Sequence, residues 1–278
     1  MILPIGSPLT LRQQQSWRRV PSRSQQLEES RHNGVSGIHR FLSEVLRETT
    51  DQHHSVKPYS LGPPAELAHG VRLIVRCLTE DAAAAIADLR PGRPVQFGVT
   101  FPKMAEVAGP PRCVAEEAWA DLATYQGTQE WRLEFLTPVV VRRGSIDQPW
   151  PEPYTLLSGL EAKWARWGPD VPGFTHEMAS GVVVTAAQIS TVRTQLPPRP
   201  TTAATGWVQW AWMDDPAQAA IIERLLRFAE YAGMGGRTEH GLGTVRVSGR
   251  SGGPHRSPCR VPSACGDVYM GSPARGGT

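Results

Sequence analysis

Long apolar runs and closely spaced cysteine pairs are missing from this sequence. No run of about 18 apolar residues occurs, which excludes a helical membrane span. The four cysteines have no CxxC spacing, which argues against a zinc knuckle, and in a cytoplasmic protein we expect them to be reduced thiols. Arg18 and Arg19 are not followed by an apolar segment, so no secretory signal is expected.

Lysine is also scarce. The chain has 29 basic residues, of which only Lys57, Lys103 and Lys163 are lysines. The arginine excess is typical of a genome-wide composition bias, and the net charge of +3 neither requires nor excludes a nucleic-acid partner. A position that keeps lysine against this bias is therefore of interest.

The first half of the sequence predicts alternating strands and helices. The segment "SPLTL" (7–11) is a candidate first strand within a polar stretch that covers residues 1–34. An apolar stripe from Ile38 to Leu46, with Ser36 as N-cap, predicts a helix. Strand, helix and strand patterns follow at 71–78, 79–89 and 93–101. The predicted order βαββαβ over residues 1–125 is that of a ferredoxin-like domain.

The second half repeats this order over residues 126–248. The predicted elements are, in order, a strand, a helix, two strands, a helix and a closing strand, at 131–143, 151–167, 180–193, 206–213, 214–233 and 242–247. The last helix is the clearest, with Asp215 as N-cap and Pro216 in its first position. The sequence thus predicts an α+β fold of tandem ferredoxin-like domains. Residues 249–278 lack an apolar period, and we expect a disordered tail there.

Five glycines lie within "GMGGRTEHGLG", between the last predicted helix and the closing strand. The stretch lacks the ending of a Walker motif, and its helix-loop-strand order is the reverse of the dinucleotide fingerprint. Two interpretations stay open. The loop is either a tight connection, with Gly233 as helix C-cap and Gly241 and Gly243 at close backbone approaches, or it meets phosphates through bare N–H groups, Arg237 and His240.

The stretch "GIHRFLSEVLRETTDQHHSVKPYS" is rich in histidine. His39 lies at the edge of the predicted helix stripe, whereas His53 and His54 fall in a polar loop shortly before Lys57. Packing and surface roles would account for these histidines. Histidine nevertheless transfers protons near neutral pH, and a nearby cation stabilises a phosphorane. The combination fits RNA cleavage without a metal ion.

Three stretches resemble the CRISPR-associated endoribonucleases that process precursor repeat RNA. They are "GIHRFLSEVL…HHSVKPYS", "LEFLTPVVVRRG…PWPEPYTLLSGLEAKW" and "GWVQWAW…LLRFAEYAGMGGRTEHGLGTVRV". The resemblance implies a tandem ferredoxin-like fold. It also implies metal-free cleavage, in which the 2′-OH attacks to leave a 2′,3′-cyclic phosphate and a 5′-OH end.

The resemblance also implies roles for particular residues. His54, or His53 in the next register, matches the general base, His39 the general acid, and Lys57 the charge stabiliser, and the two histidine roles could be reversed. The loop would bind RNA through a larger set: Gly233, Gly235, Gly236, Arg237, Thr238, His240, Gly241 and Gly243. No cofactor or metal is expected. The expected partner is CRISPR repeat RNA, and other effector subunits and a second copy of the chain are further candidates.

Two features depart from the family pattern. Residues 11–35 are long and polar where a short link is usual, and "WVQWAW" replaces an aromatic-glycine pattern. One face of this tryptophan strand is expected to be core, and the other could stack on bases.

Two other functions stay open. The protein could be a non-catalytic scaffold that coats crRNA, or a phosphate-metabolite enzyme that uses the glycine loop.

Overall fold

The computed structural model describes residues 38–46, 56–67, 70–97, 103–123, 128–144, 146–169, 173–194, 200–249 and the backbone of 265–271. Within these residues, all strand pairing is antiparallel, in one seven-stranded sheet, one four-stranded sheet and one hairpin. No described helix is both long and apolar enough to cross a membrane. The candidate first strand and Ser36 lie outside the described residues.

The first sheet holds the strands of the N-terminal half. The elements of this half are helix α1 (38–45), β1 (Tyr59–Leu61), β2 (Ala65–Leu67), β3 (Gly70–Cys77), α2 (Glu80–Ala87), β4 (Pro94–Phe97), β5 (Lys103–Val107), β6 (Arg112–Cys113) and α3 (Trp119–Ala123). Helix α1 buries Ile38, Phe41, Leu42 and Val45, so the predicted apolar stripe is confirmed. The predicted cap of α2 is also confirmed, because the Thr79 hydroxyl accepts a hydrogen bond from the amide of Ala82.

A strand from the far end of the chain completes this sheet. β13 (Cys265–Gly271) lies between β3 and β5 in the order β1-β3-β13-β5-β4. The expectation of disorder over 249–278 is therefore wrong for these seven residues. Their backbone pairs with β3 along its whole length, from Cys265 opposite Arg76 to Gly271 opposite Gly70. Pairing with the sheet orders these residues, although their own sequence has no apolar period that predicts a strand.

The second sheet follows the predicted element order. Its half contains β7 (Glu130–Val139), the hairpin β8 (Val141–Arg143) and β9 (Ile146–Gln148), α4 (Pro153–Trp167), α5 (His176–Gly181), β10 (Val182–Thr194), β11 (Thr201–Trp212), α6 (Pro216–Ala232) and β12 (Val245–Gly249). The sheet order is β10-β11-β7-β12. As predicted, Asp215 caps α6: its carboxylate accepts a hydrogen bond from the amide of Ala217.

Large aromatic side chains fill the core between this sheet and its helices. Trp131, Trp164, Trp210 and Phe228 are 2% exposed or less and belong to one cluster. Trp207 lies on the opposite face of the sheet, under the guanidinium of Arg132 at 3.7 Å from the ring centroid. The prediction that one face of the tryptophan strand is core is confirmed, whereas base stacking on the other face stays a prediction.

Candidate active site at the glycine-rich loop

The glycine-rich loop (233–243) is a tightly folded connection between α6 and β12. Gly233, Gly235, Gly241 and Gly243 all have positive φ, as does Arg237, the one such non-glycine residue in the described part of the chain. A β-carbon on Gly243 would overlap the carbonyl oxygen of Met234. The predicted close approach at Gly243 and the C-cap role of Gly233, whose amide donates to the carbonyl of Ala229, are confirmed.

Most glycine amides of the loop already donate hydrogen bonds to backbone carbonyls of the protein. The amide of Gly236 donates to the carbonyl of Val140, and that of Gly243 donates to the carbonyl of Pro138, both at 2.9 Å. The amides of Gly233 and Gly241 donate to Ala229 and Thr238. The hypothesis of bare N–H groups is therefore wrong for these four glycines. These amides are therefore not open to a phosphate.

Lys163 of α4 is hydrogen-bonded to the loop. Its ammonium donates hydrogen bonds to the carbonyls of Ala232 and Gly233, both at 3.0 Å, and to the hydroxyl of Thr238 at 3.1 Å. Burial lowers the pKa of Lys163 to about 8, and the carboxylate of Glu239 opposes this shift. One lysine thus satisfies the end of α6 and the middle of the loop together. The scarcity of lysine in the sequence singles out Lys163, but the sequence indicates no role for it.

Arg237 points back toward the β8–β9 hairpin. Its guanidinium lies 3.8 Å from the carboxylate of Asp147, and both side chains are largely buried. The same carboxylate accepts a hydrogen bond from the hydroxyl of Thr201. Gly236 also forms a β-bridge with Val140, at the end of β7. The loop is therefore fixed on its hairpin side as well.

His39 and His240, far apart in the sequence, lie against each other. Their ring centroids are 4.3 Å apart at an interplanar angle of 55°. The Nδ1 atom of His39 is hydrogen-bonded to the hydroxyl of Tyr59 at 2.8 Å. Burial, and secondarily the positive charge of Arg237, lowers the pKa of His240 to about 4. The structure thus joins one member of the predicted histidine group to the predicted RNA-binding loop.

Strand β1 fixes this meeting point. The hydroxyl of Ser60 donates to the carbonyl of Tyr231, near the end of α6, at 2.5 Å. The hydroxyl of Thr244, at the end of the loop, donates to the carbonyl of Leu61 at 3.2 Å. Tyr59 is 1% exposed and directs its hydroxyl to His39. These contacts join the N-terminal half to the loop.

Of the other predicted catalytic residues, the structure describes Lys57 only. Lys57 is half-buried and lies two residues before Tyr59, in the segment that leads into β1. His53 and His54 lie outside the described residues. Tyr59 received no role from the sequence, although it lies in the quoted "KPYS" motif. Across the part of the chain that the structure describes, no group of three or more His, Cys, Asp or Glu could hold a metal ion.

Comparison with known proteins supports one family. Residues 133–245 match the family described as CRISPR-associated endoribonuclease Cas6. Two curated proteins with that same name, from the CDC 1551 and H37Rv strains of Mycobacterium tuberculosis, are each 27% identical over 124 residues. The aligned stretch is 43% of this chain and 39% of each relative, so it spans well under half of their length.

Solved structures share the fold over a larger part of the chain. A Cas6 (TTHA0078) product complex superimposes with a TM-score of 0.62 at 21% identity, covering 78% of this chain and 93% of that one. Thermus thermophilus Cas6 (TTHB231) gives a TM-score of 0.56 at 19% identity, covering 78% and 91%. The sequence matches agree with the resemblance that the motifs indicated: over residues 133–245 the chain is similar to the CRISPR-associated endoribonucleases Cas6.

Proposed function

We propose that the protein is an endoribonuclease that cleaves CRISPR repeat RNA in the cytoplasm without a metal ion. The observation that carries the proposal is the junction of α1, β1 and the glycine-rich loop, where His39, Tyr59 and His240 meet. Imidazole groups can move the two protons that the reaction requires. The family match ends at residue 245 and therefore includes the whole loop.

In the proposed reaction, a base removes the proton of the 2′-OH, and an acid protonates the leaving 5′-oxygen. The products are a 2′,3′-cyclic phosphate and a 5′-OH end. The resemblance assigns the acid to His39, the base to His54 or His53, and charge stabilisation to Lys57. From its RNA-binding set we keep the side chains of Arg237 and His240 as contacts with repeat RNA, because Thr238 is 4% exposed and its hydroxyl accepts a hydrogen bond from Lys163.

We further propose that both halves are ferredoxin-like. In the C-terminal half, the first strand β7 lies between β11 and β12. In the N-terminal half, β13 takes the corresponding place between β3 and β5. This parallel supports a tandem arrangement in which β13 substitutes for a first strand. The division at 125/126 falls outside the described residues and stays a proposal.

The test is single-turnover cleavage of the repeat RNA encoded beside the gene, in EDTA. We expect His39→Ala to lower the rate by about 10²–10⁴-fold, the usual contribution of a proton-transfer group. Glu44→Ala is the matched control, because Glu44 lies on the exposed side of the same helix and should leave the rate unchanged. A wild-type protein that binds the RNA but never cuts it would instead be a crRNA scaffold.

A further inference from the structure

His240 is an unusual residue for a loop that only holds RNA. Its side chain is 17% exposed and its ring lies against that of His39. Its Nδ1 atom is buried and has no hydrogen-bond partner among the residues that the structure describes. A buried, unpaired ring nitrogen costs free energy unless something else uses it. The position beside His39 indicates what that use is.

We propose that His240 is a catalytic residue of the RNA-cleaving site and forms an acid–base couple with His39. The inference rests on the proposed function and changes one part of it. The second proton-transfer group becomes the loop histidine His240, instead of His54 or His53. The glycine-rich loop then supplies chemistry as well as binding.

The geometry suits a couple that holds one proton. Two imidazolium ions at a centroid distance of 4.3 Å would repel each other, so protonation of one ring disfavours protonation of the other. Burial and Arg237 keep His240 neutral at neutral pH, which leaves it able to accept a proton. The Nδ1 of His39 is hydrogen-bonded to the hydroxyl of Tyr59, so we assign the proton that goes to the leaving group to its Nε2.

Several other charged or titratable groups surround the couple. Tyr59 faces it from β1, and Arg237 and Glu239 belong to the loop itself. Lys163 approaches from α4 through Thr238. The bound phosphodiester adds a negative charge, which raises the pKa of a nearby imidazole. We therefore expect His240 to be a stronger base in the RNA complex than in the free protein.

The proton transfers balance within the couple. His240 accepts the proton of the 2′-OH while the 2′-oxygen forms a bond to phosphorus. The bond from phosphorus to the 5′-oxygen breaks, and that oxygen takes the proton of His39. The products are a 2′,3′-cyclic phosphate and a 5′-OH, with His240 protonated and His39 neutral. Exchange with water then restores the starting state.

The experiment measures single-turnover cleavage at saturating RNA in EDTA across pH, together with RNA affinity. We expect His240→Phe, which keeps a ring against His39, to lower the rate by about 10²–10⁴-fold and to leave the dissociation constant within a few-fold. The acidic limb of the pH profile should flatten. His176→Phe is the matched control, because His176 also lies 4.3 Å from an aromatic ring, that of Tyr154, and should cleave normally.

A second variant separates chemistry from folding. His240→Ala leaves a space beside His39, and added imidazole should restore part of its rate, which a purely structural role would not allow. A wild-type rate and pH profile for His240→Phe at saturating RNA would overturn the proposal. So would a large loss confined to His54→Ala. A wild-type protein that does not cut RNA fails the proposed function itself.

Discussion

The two sheets are assembled in different ways. The C-terminal sheet is built from consecutive elements and packs on a core of large rings that includes Trp131, Trp164 and Trp210. The N-terminal sheet packs on smaller side chains of α1, such as Ile38 and Leu42, and takes its central strand from residues 265–271. One half is completed locally and the other by a long-range strand.

The two histidines therefore belong to halves that are assembled differently. His240 belongs to a loop that Lys163, Val140 and Pro138 hold against the C-terminal core. His39 belongs to α1, whose own sheet depends on β13. The junction through β1 sets the distance between the rings. Changes in the C-terminal half should therefore affect cleavage through His240, and changes in the N-terminal half should affect it through His39.

The largest effect should come from closing the space inside the loop. Gly243→Ala places a left-handed residue where a β-carbon overlaps the Met234 carbonyl, so its cost should exceed the roughly 1–2 kcal/mol of the backbone conformation alone. Gly144→Ala is the matched control, because φ there is also positive but no atom lies near the new β-carbon. Urea unfolding measures both variants. Equal losses would show that the loop is not tightly packed.

The next largest effect should come from disrupting β13. Val268→Pro removes an amide from β13 where it pairs with Leu73, which should cost about 1–3 kcal/mol. Hydrogen exchange should quicken in β3 and stay unchanged in β7. Val268→Ala keeps the amide and serves as control. Equal quickening in both sheets would contradict the separation of the halves.

A pH-dependent effect is expected at Lys163. Lys163→Met leaves buried oxygens without their donor, which should cost roughly 1–3 kcal/mol near pH 7. The pKa of Lys163 is about 8 in the folded state against an ordinary 10.5, so between these values the unfolded chain binds more protons. Stability from this group therefore rises with pH in that window. The gap between wild type and the methionine variant should widen from pH 8 to 10.5, and a constant gap would refute the assignment.

The smallest effect concerns the junction. Ser60→Ala removes the hydrogen bond to the carbonyl of Tyr231 and should cost about 1 kcal/mol. It should also lower cleavage several-fold, because β1 carries Tyr59 next to His39. Ser248→Ala, at an exposed position of β12, should change neither stability nor rate. Thermal unfolding and single-turnover rates check both variants. An unchanged rate for Ser60→Ala would show that this hydrogen bond does not affect catalysis.

Local patterns sufficed for elements with a clear apolar period. The stripe of α1 and the cap and proline of α6 gave the correct helices. Short elements such as β5, β6, the β8–β9 hairpin and α5 were not predicted, because their few residues carry no period of their own. β13 was missed for a related reason: its order comes from pairing with β3.

The candidate site was predicted in parts but not as a whole. The sequence singled out His39 and His240 separately, for cutting and for binding. Their contact depends on β1 packing against α6 and the loop, which no local pattern shows. Tyr59 and Lys163 were missed as site residues because their roles arise from hydrogen bonds across the fold.

The chemistry of the cut ends tests the proposed reaction most directly. Repeat RNA is incubated with the protein in EDTA, beside the same RNA carrying one 2′-deoxy nucleotide on the 5′ side of the cut. We expect a single cut with 2′,3′-cyclic phosphate and 5′-OH ends, and binding without cleavage of the deoxy-substituted RNA. Products with 3′-OH ends, a requirement for added metal ions, or cleavage of the deoxy-substituted RNA would contradict it.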